Sequence, residues 1–66
     1  MNKYVVHLSR VMYDTDGQSI ANLPTKFFCE VEAINEDSAY ELAMDILSGK
    51  TGWCIYSCNS VVKRIK

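Results

Sequence analysis

No stretch of this chain approaches the roughly 20 consecutive apolar residues of a membrane span, so no spanning helix is expected. The opening Met1-Asn2-Lys3-Tyr4-Val5-Val6-His7 lacks the apolar core of a secretory leader. Cysteine is sparse and odd in number: Cys29, Cys54 and Cys58. Small secreted scaffolds carry even, paired sets, so three free thiols in a reducing, cytoplasmic setting are expected. There is one histidine, His7, and one proline, Pro24. Internal repeats, low-complexity tracts and domain boundaries are lacking.

Length is short as well. Sixty-six residues make a single domain, 1–66. Such a chain buries only about 60% of its unfolded surface and has little scaffold for a deep catalytic cleft. The 48% hydrophobic content nevertheless argues against disorder.

Basic residues are nearly absent from the middle of the chain. All eight acids (Asp14, Asp16, Glu30, Glu32, Glu36, Asp37, Glu41, Asp45) lie between positions 14 and 45, and Lys26 is the one base among them. The other bases lie outside that window. The net charge is only −1, but segregation of this kind bears on partners more than on fold.

What is present reads as four elements. Residues 3–13 are rich in β-branched and aromatic types and predict a strand. Tyr4, Val6, Leu8 and Met12 share its expected core face, with Arg10 as an exception. Val5, His7, Ser9, Val11 and Tyr13 share the other face. Residues 14–24 predict a loop, with Asp16-Gly17 as a turn and Pro24 near its end. At eleven residues it exceeds an ordinary hairpin connection, and Ile20 and Leu23 are placed to pin it to the body. Residues 25–34 predict a second strand with Phe27, Cys29, Val31 and Ala33 inward. A one-residue slip would bury two glutamates, so its register is well specified.

Residues 36–48 predict a helix. Asn35 is its cap, and Glu36 and Asp37 suit the positive end of the dipole. Ala39, Leu42, Ala43, Ile46 and Leu47 give an apolar face, flanked by Tyr40 and Met44. Gly49 is the expected stop. A third strand covers 53–58, with a bulge expected at Asn59-Ser60 and Val61–Ile65 as its extension or a short fourth strand. Its faces are ambiguous, because Trp53-Ile55-Ser57 and Cys54-Tyr56-Cys58 are about equally apolar.

The expected fold class is α+β. The order is β-β-α-β, with a three-stranded antiparallel or mixed sheet of order 2-1-3 and one helix on one face, half of a ferredoxin-like unit. The other sheet face is left uncovered.

Several constellations bear on chemistry. His7 with Cys54 or Cys58 would be a Cys-His pair, but no loop supplies an oxyanion hole. No enzyme activity, catalytic residue or cofactor is expected. A Cys₃His zinc set fails on spacing, since Cys54 and Cys58 on one strand stand about 13 Å apart. Asp14-x-Asp16-Gly17-x-Ser19 opens like a calcium loop, but its glycine comes too early and Thr25 stands where a bidentate glutamate belongs. A plain turn is the better reading, and no metal is expected.

The helix carries Asp37, Glu41 and Asp45 at i, i+4 and i+8 on one face. Like charges so spaced cost roughly 0.2–0.5 kcal/mol per pair. Either this is a solvated face that tolerates the cost, or it docks a basic partner. Carboxylates every ~6 Å along a helix roughly match the phosphate spacing of a nucleic-acid strand. The uncovered sheet face adds Phe28, Tyr13, Val5, Val11 and Ile34 as exposed apolar side chains, with Glu30 and Glu32 among them. Exposed aromatics on a small sheet also suit RNA, but those glutamates repel phosphate, and Lys3, Arg10, Lys63 and Arg64 make no basic stripe.

The compact β-β-α-β order, the AINEDSAYELAMDIL helix with its Asp37, Glu41, Asp45 ridge and the lack of catalytic equipment resemble the small host-factor inhibitors of phages and mobile elements, anti-CRISPR proteins included. That resemblance implies inhibition by steric occupation or nucleic-acid mimicry, without turnover. Three readings follow. The first is a protein that binds a basic partner through Asp37, Glu41, Asp45, Glu30, Glu32, Phe28 and Tyr13. The second is a nucleic-acid-binding regulator that uses the open sheet face. The third is a dimerisation or structural module, a homodimer.

Overall fold

Strand, strand, helix and strand follow one another in a computed structural model that describes residues 1–66. They are β1 (Asn2–Asp14), β2 (Phe27–Ala33), α1 (Glu36–Thr51) and β3 (Cys54–Arg64). The sheet order is β2-β1-β3, and β1 is antiparallel to both neighbours. β2 and β3 therefore run parallel to each other with β1 between them, joined by α1. This is the architecture expected from the sequence, with β3 a single long strand.

The helix starts where its residues predict. Asn35 is extended, at φ −155°, and its side chain accepts a hydrogen bond from the Ser38 amide at 2.8 Å. That bond satisfies one of the amides left free at a helix start. The end differs from expectation. Gly49 lies within the helix, which runs on to Thr51 and closes at Gly52 in the left-handed region, at φ 77°. The Gly52 amide donates to the Ser48 carbonyl at 2.8 Å. The Ser48 hydroxyl donates to the Trp53 carbonyl at 2.9 Å, and the Thr51 hydroxyl to the Leu47 carbonyl at 3.0 Å. These bonds hold a last turn that the glycine at 49 alone would not predict. A Cβ at Gly52 would touch nothing within 4 Å. Gly52→Ala is therefore expected to lower stability by only about 1 kcal/mol, through backbone conformation alone. A chemical-denaturation series comparing it with Gly49→Ala, which should be neutral or stabilising, checks this.

The core lies between the sheet and α1. It comprises Tyr4, Val6, Leu8, Val11, Val31, Ala33, Ala39, Ala43 and Leu47. The inward set of β2 is as expected, with Val31 and Ala33 buried and Phe27 and Cys29 half-buried against the core. Two alanines let α1 approach the sheet closely. The helix buries Ala39, Ala43 and Leu47 and half-buries Tyr40 and Met44, but leaves Leu42 and Ile46 about 40% exposed. Its packed stripe is thus rotated towards Tyr40 and Met44, away from two residues expected inside.

The far half of β1 is a second correction. Val11 is buried, and Met12, expected inside, is 58% exposed. Register explains the exchange. Ser9 faces Asn59, Met12 faces Ser57, and Tyr13 faces Ile55. β1 therefore carries one extra residue between Ser9 and Met12, and β3 carries one between Ile55 and Ser57. Arg10 takes up the first irregularity at φ 49°, a left-handed conformation unusual for a residue with a side chain. The Val11 amide then donates to the Thr25 carbonyl at 3.0 Å. Each bulge reverses which side chains face the helix. Val11, Tyr13 and Ile55 turn towards the core, while Met12 and Tyr56 turn away. The bulge expected at Asn59-Ser60 falls at Tyr56 instead.

Candidate functional site

The acidic ridge stands as the helical spacing places it, with Asp37, Glu41 and Asp45 all exposed on α1. Because the helix continues to Thr51, Asp45 lies before the last turn, where the dipole disfavours an anion only weakly. No base compensates the ridge. The one ion pair in the structure joins Lys3 Nζ to Glu30 Oε1 at 3.7 Å, away from α1.

The crossover from β2 into α1 brings strand and helix residues together. Glu32 near the end of β2 and Ile34 just after it meet Ser38, Glu41, Leu42 and Asp45 of α1 around an open cleft of about 330 Å³, which Met1 also lines. Ile34 is 68% exposed and forms the apolar floor with Leu42. Three carboxylates, Glu32, Glu41 and Asp45, surround that floor. This combination fits a long cationic side chain. Methylenes laid on the apolar floor would put a charged head within reach of the carboxylates.

The remaining predicted residues do not join this cleft. Asp37 continues the ridge one turn away. Glu30 lies on the open sheet face, paired with Lys3. Phe28 lies on the same face and packs edge-on to His7, with ring centroids 4.7 Å apart. Tyr13 leaves the expected binding surface altogether. The bulge at Arg10 turns it towards the helix side, where its hydroxyl donates to the Pro24 carbonyl at 2.7 Å. Burial, and next the neighbouring Cys58, raise its hydroxyl above the usual tyrosine range. Val11, also expected on the open face, is buried by the same bulge. Ile20 and Leu23 are half-buried, but neither is among the side chains packed against the core.

Two exposed apolar residues of α1, one of them the cleft residue Leu42, escaped the sequence reading. Leu42 and Ile46 carry the apolar period of a core face, and nothing local marks them as exposed. The signal in the sequence was the pair Ala39 and Ala43, small enough to sit closest to the sheet.

The Cys-His arrangement does not form. His7 faces Phe28 on one side and Val61 on the other. Cys58 points to the opposite face, under α1, where its thiol lies 3.7 Å from the Tyr40 hydroxyl and donates to Met44 Sδ at 3.5 Å. The hydrogen bond to Cys58, and then burial, raise the Tyr40 hydroxyl above its ordinary range. Cys54 sits at the other end of β3, opposite Asp14. No three His, Cys, Asp or Glu side chains gather into a group that could hold a metal ion. The thiols differ in access: Cys54 is exposed, while Cys29 is half-buried and its pKa is raised by burial. Iodoacetamide at neutral pH is therefore expected to label Cys54 first and Cys29 slowly, because the thiolate is the reactive form. Peptide mass spectrometry over time reads the order, and equal rates would contradict the placement of Cys29.

No protein-family model, curated protein or solved structure matches this chain. No helix is long and apolar enough to cross a membrane.

Proposed function

We propose that this chain is a non-enzymatic binding protein that inhibits or modulates a host protein by occupying a basic, nucleic-acid-binding surface. The observation that carries this reading is the set of carboxylates Glu32, Glu41 and Asp45, none of them in an ion pair, around the apolar floor of Ile34 and Leu42. Asp37 prolongs the ridge along α1. A surface evolved to bind phosphates offers lysines and arginines at similar intervals. Occupation then excludes the nucleic acid by charge and bulk, with no bond made or broken. The complementary field speeds encounter and selects the partner, and the apolar floor slows release.

The test is affinity recovery from a host-like lysate, with and without nuclease, followed by titration of the recovered protein. Support consists of a nucleic-acid-binding protein retained after nuclease, whose DNA or RNA binding falls as the chain is added in equimolar amount. Recovery that disappears with nuclease would mean that the chain itself contacts nucleic acid, which is the second reading. Glu30 and Glu32 on the open face weigh against that outcome.

A further inference from the structure

The face of the sheet away from α1 carries a pattern that complements itself. Cross-strand register sets level rows over it, and beyond the Glu32–Lys3 pair two of them span all three strands. One is Glu30–Val5–Lys63 and the next is Phe28–His7–Val61, each running from β2 through β1 to β3. The acid and the aromatic ring stand on the β2 side, and the base and the aliphatic side chain on the β3 side. Phe28 and Val61 are more than half exposed, and Lys63 has no ion-pair partner within the chain.

We infer that this face is the interface of a homodimer, with the two-fold axis lying between the stacked sheets and parallel to β1. That operation keeps each row level and reverses it. Glu30 then lies over the partner's Lys63, and Phe28 over the partner's Val61, each contact occurring twice, as an isologous interface requires. Val5 and His7 meet their own copies at the axis, and so does Lys3, which stands level with Glu32 and is held by Glu30. Strand directions stay aligned, the usual geometry for sheets packed about 10 Å apart. The other in-plane axis, perpendicular to β1, would set β2 on β2 and β3 on β3, so that no Glu30 could meet a Lys63. The molecule extends 39 × 15 × 15 Å, so with side chains included the face is on the scale of the roughly 800 Å² per partner of a standard interface. A second copy also supplies apolar cover that one helix and nine buried residues leave wanting. The pairing shares Glu32, at the β2 edge, with the acidic cleft, but leaves both α1 ridges on the outside, so the dimer would present two ridges.

Sedimentation equilibrium and light scattering across micromolar to millimolar chain test this. The wild type is expected to dimerise. Glu30→Lys alone and Lys63→Glu alone each create two like-charge contacts, and each is expected to weaken the dimer by about 100-fold. The combined variant restores opposite charges at both sites and is expected to dimerise nearly as the wild type does. Far-UV circular dichroism checks folding. If Glu30→Lys unfolds for want of its Lys3 pair, Lys63→Glu, which breaks no ion pair of the monomer, carries the test. A wild type that stays monomeric at millimolar chain overturns the proposal. So does a dimer indifferent to Lys63→Glu, or a folded combined variant that remains monomeric.

Discussion

Leu47→Ala is expected to leave much of the chain unfolded without denaturant. Leu47 is 1% exposed and is the one large side chain that α1 buries completely; its companions Ala39 and Ala43 contribute almost no side-chain volume. Removing it leaves a cavity at the helix–sheet contact, at a cost of about 2–5 kcal/mol. A domain of this size holds roughly 3–10 kcal/mol in total. The loss is therefore comparable with the whole stability. The control is Leu42→Ala in the same helix. Leu42 is 40% exposed, so truncation removes little buried area and should cost about 1 kcal/mol or less. Urea titrations of both variants read the contrast. Equal losses would mean that α1 packs with Leu42 inward, as the apolar period alone predicts, and not in the observed rotation.

Simultaneous replacement of Asp37, Glu41 and Asp45 by lysine is expected to abolish binding to a basic partner while leaving the fold intact. All three are exposed, and none is in an ion pair. Folding loses no contact. Three like charges at i, i+4 spacing are exchanged for three others, so the repulsion of about 0.2–0.5 kcal/mol per pair is unchanged. The helix dipole disfavours lysine at position 37 by about 0.3–1 kcal/mol and favours it slightly at 45. The expected net change in stability is therefore under about 1 kcal/mol. Binding changes far more, because every attraction at the ridge becomes a repulsion, with a loss on the order of 100-fold or greater. Calorimetric titration against the recovered partner, at two ionic strengths, gives the answer. Wild-type binding should weaken as salt rises. Undiminished binding by the folded triple variant would remove the ridge from the interface and end the mimicry reading.

These two variants probe features of different legibility. The ridge was visible directly, because i, i+4, i+8 spacing puts residues on one face of any helix. So was the start of α1, where Asn35 caps a run of good helix formers, and so was the inward set of β2, where slippage would bury Glu30 and Glu32. The cleft was visible only in part. Its carboxylates could be named, but their meeting with Ile34 and Leu42 depends on how the β2–α1 connection turns and how the helix is rotated. Tyr13 shows the same limit from the other side. Strict alternation from Tyr4 places it on the open face, and the bulge at Arg10 reverses that.

Element order, the helix cap, the faces of β2 and the sheet order 2-1-3 are legible in the chain alone. Each follows from local periodicity, capping chemistry or the short crossover between parallel strands. The end of the helix, the choice of its buried apolar residues, and the faces of the distal halves of β1 and β3 arise from packing between elements. The physical reason is the same in each case. The last helical turn is held by hydrogen bonds from Ser48 and Thr51 to groups around it, Trp53 among them. The helix rotation is set by how closely Ala39 and Ala43 let it approach the sheet. The paired bulges at Arg10 and Tyr56 are a property of two strands in register, more than forty residues apart in the chain, and neither strand carries that information alone.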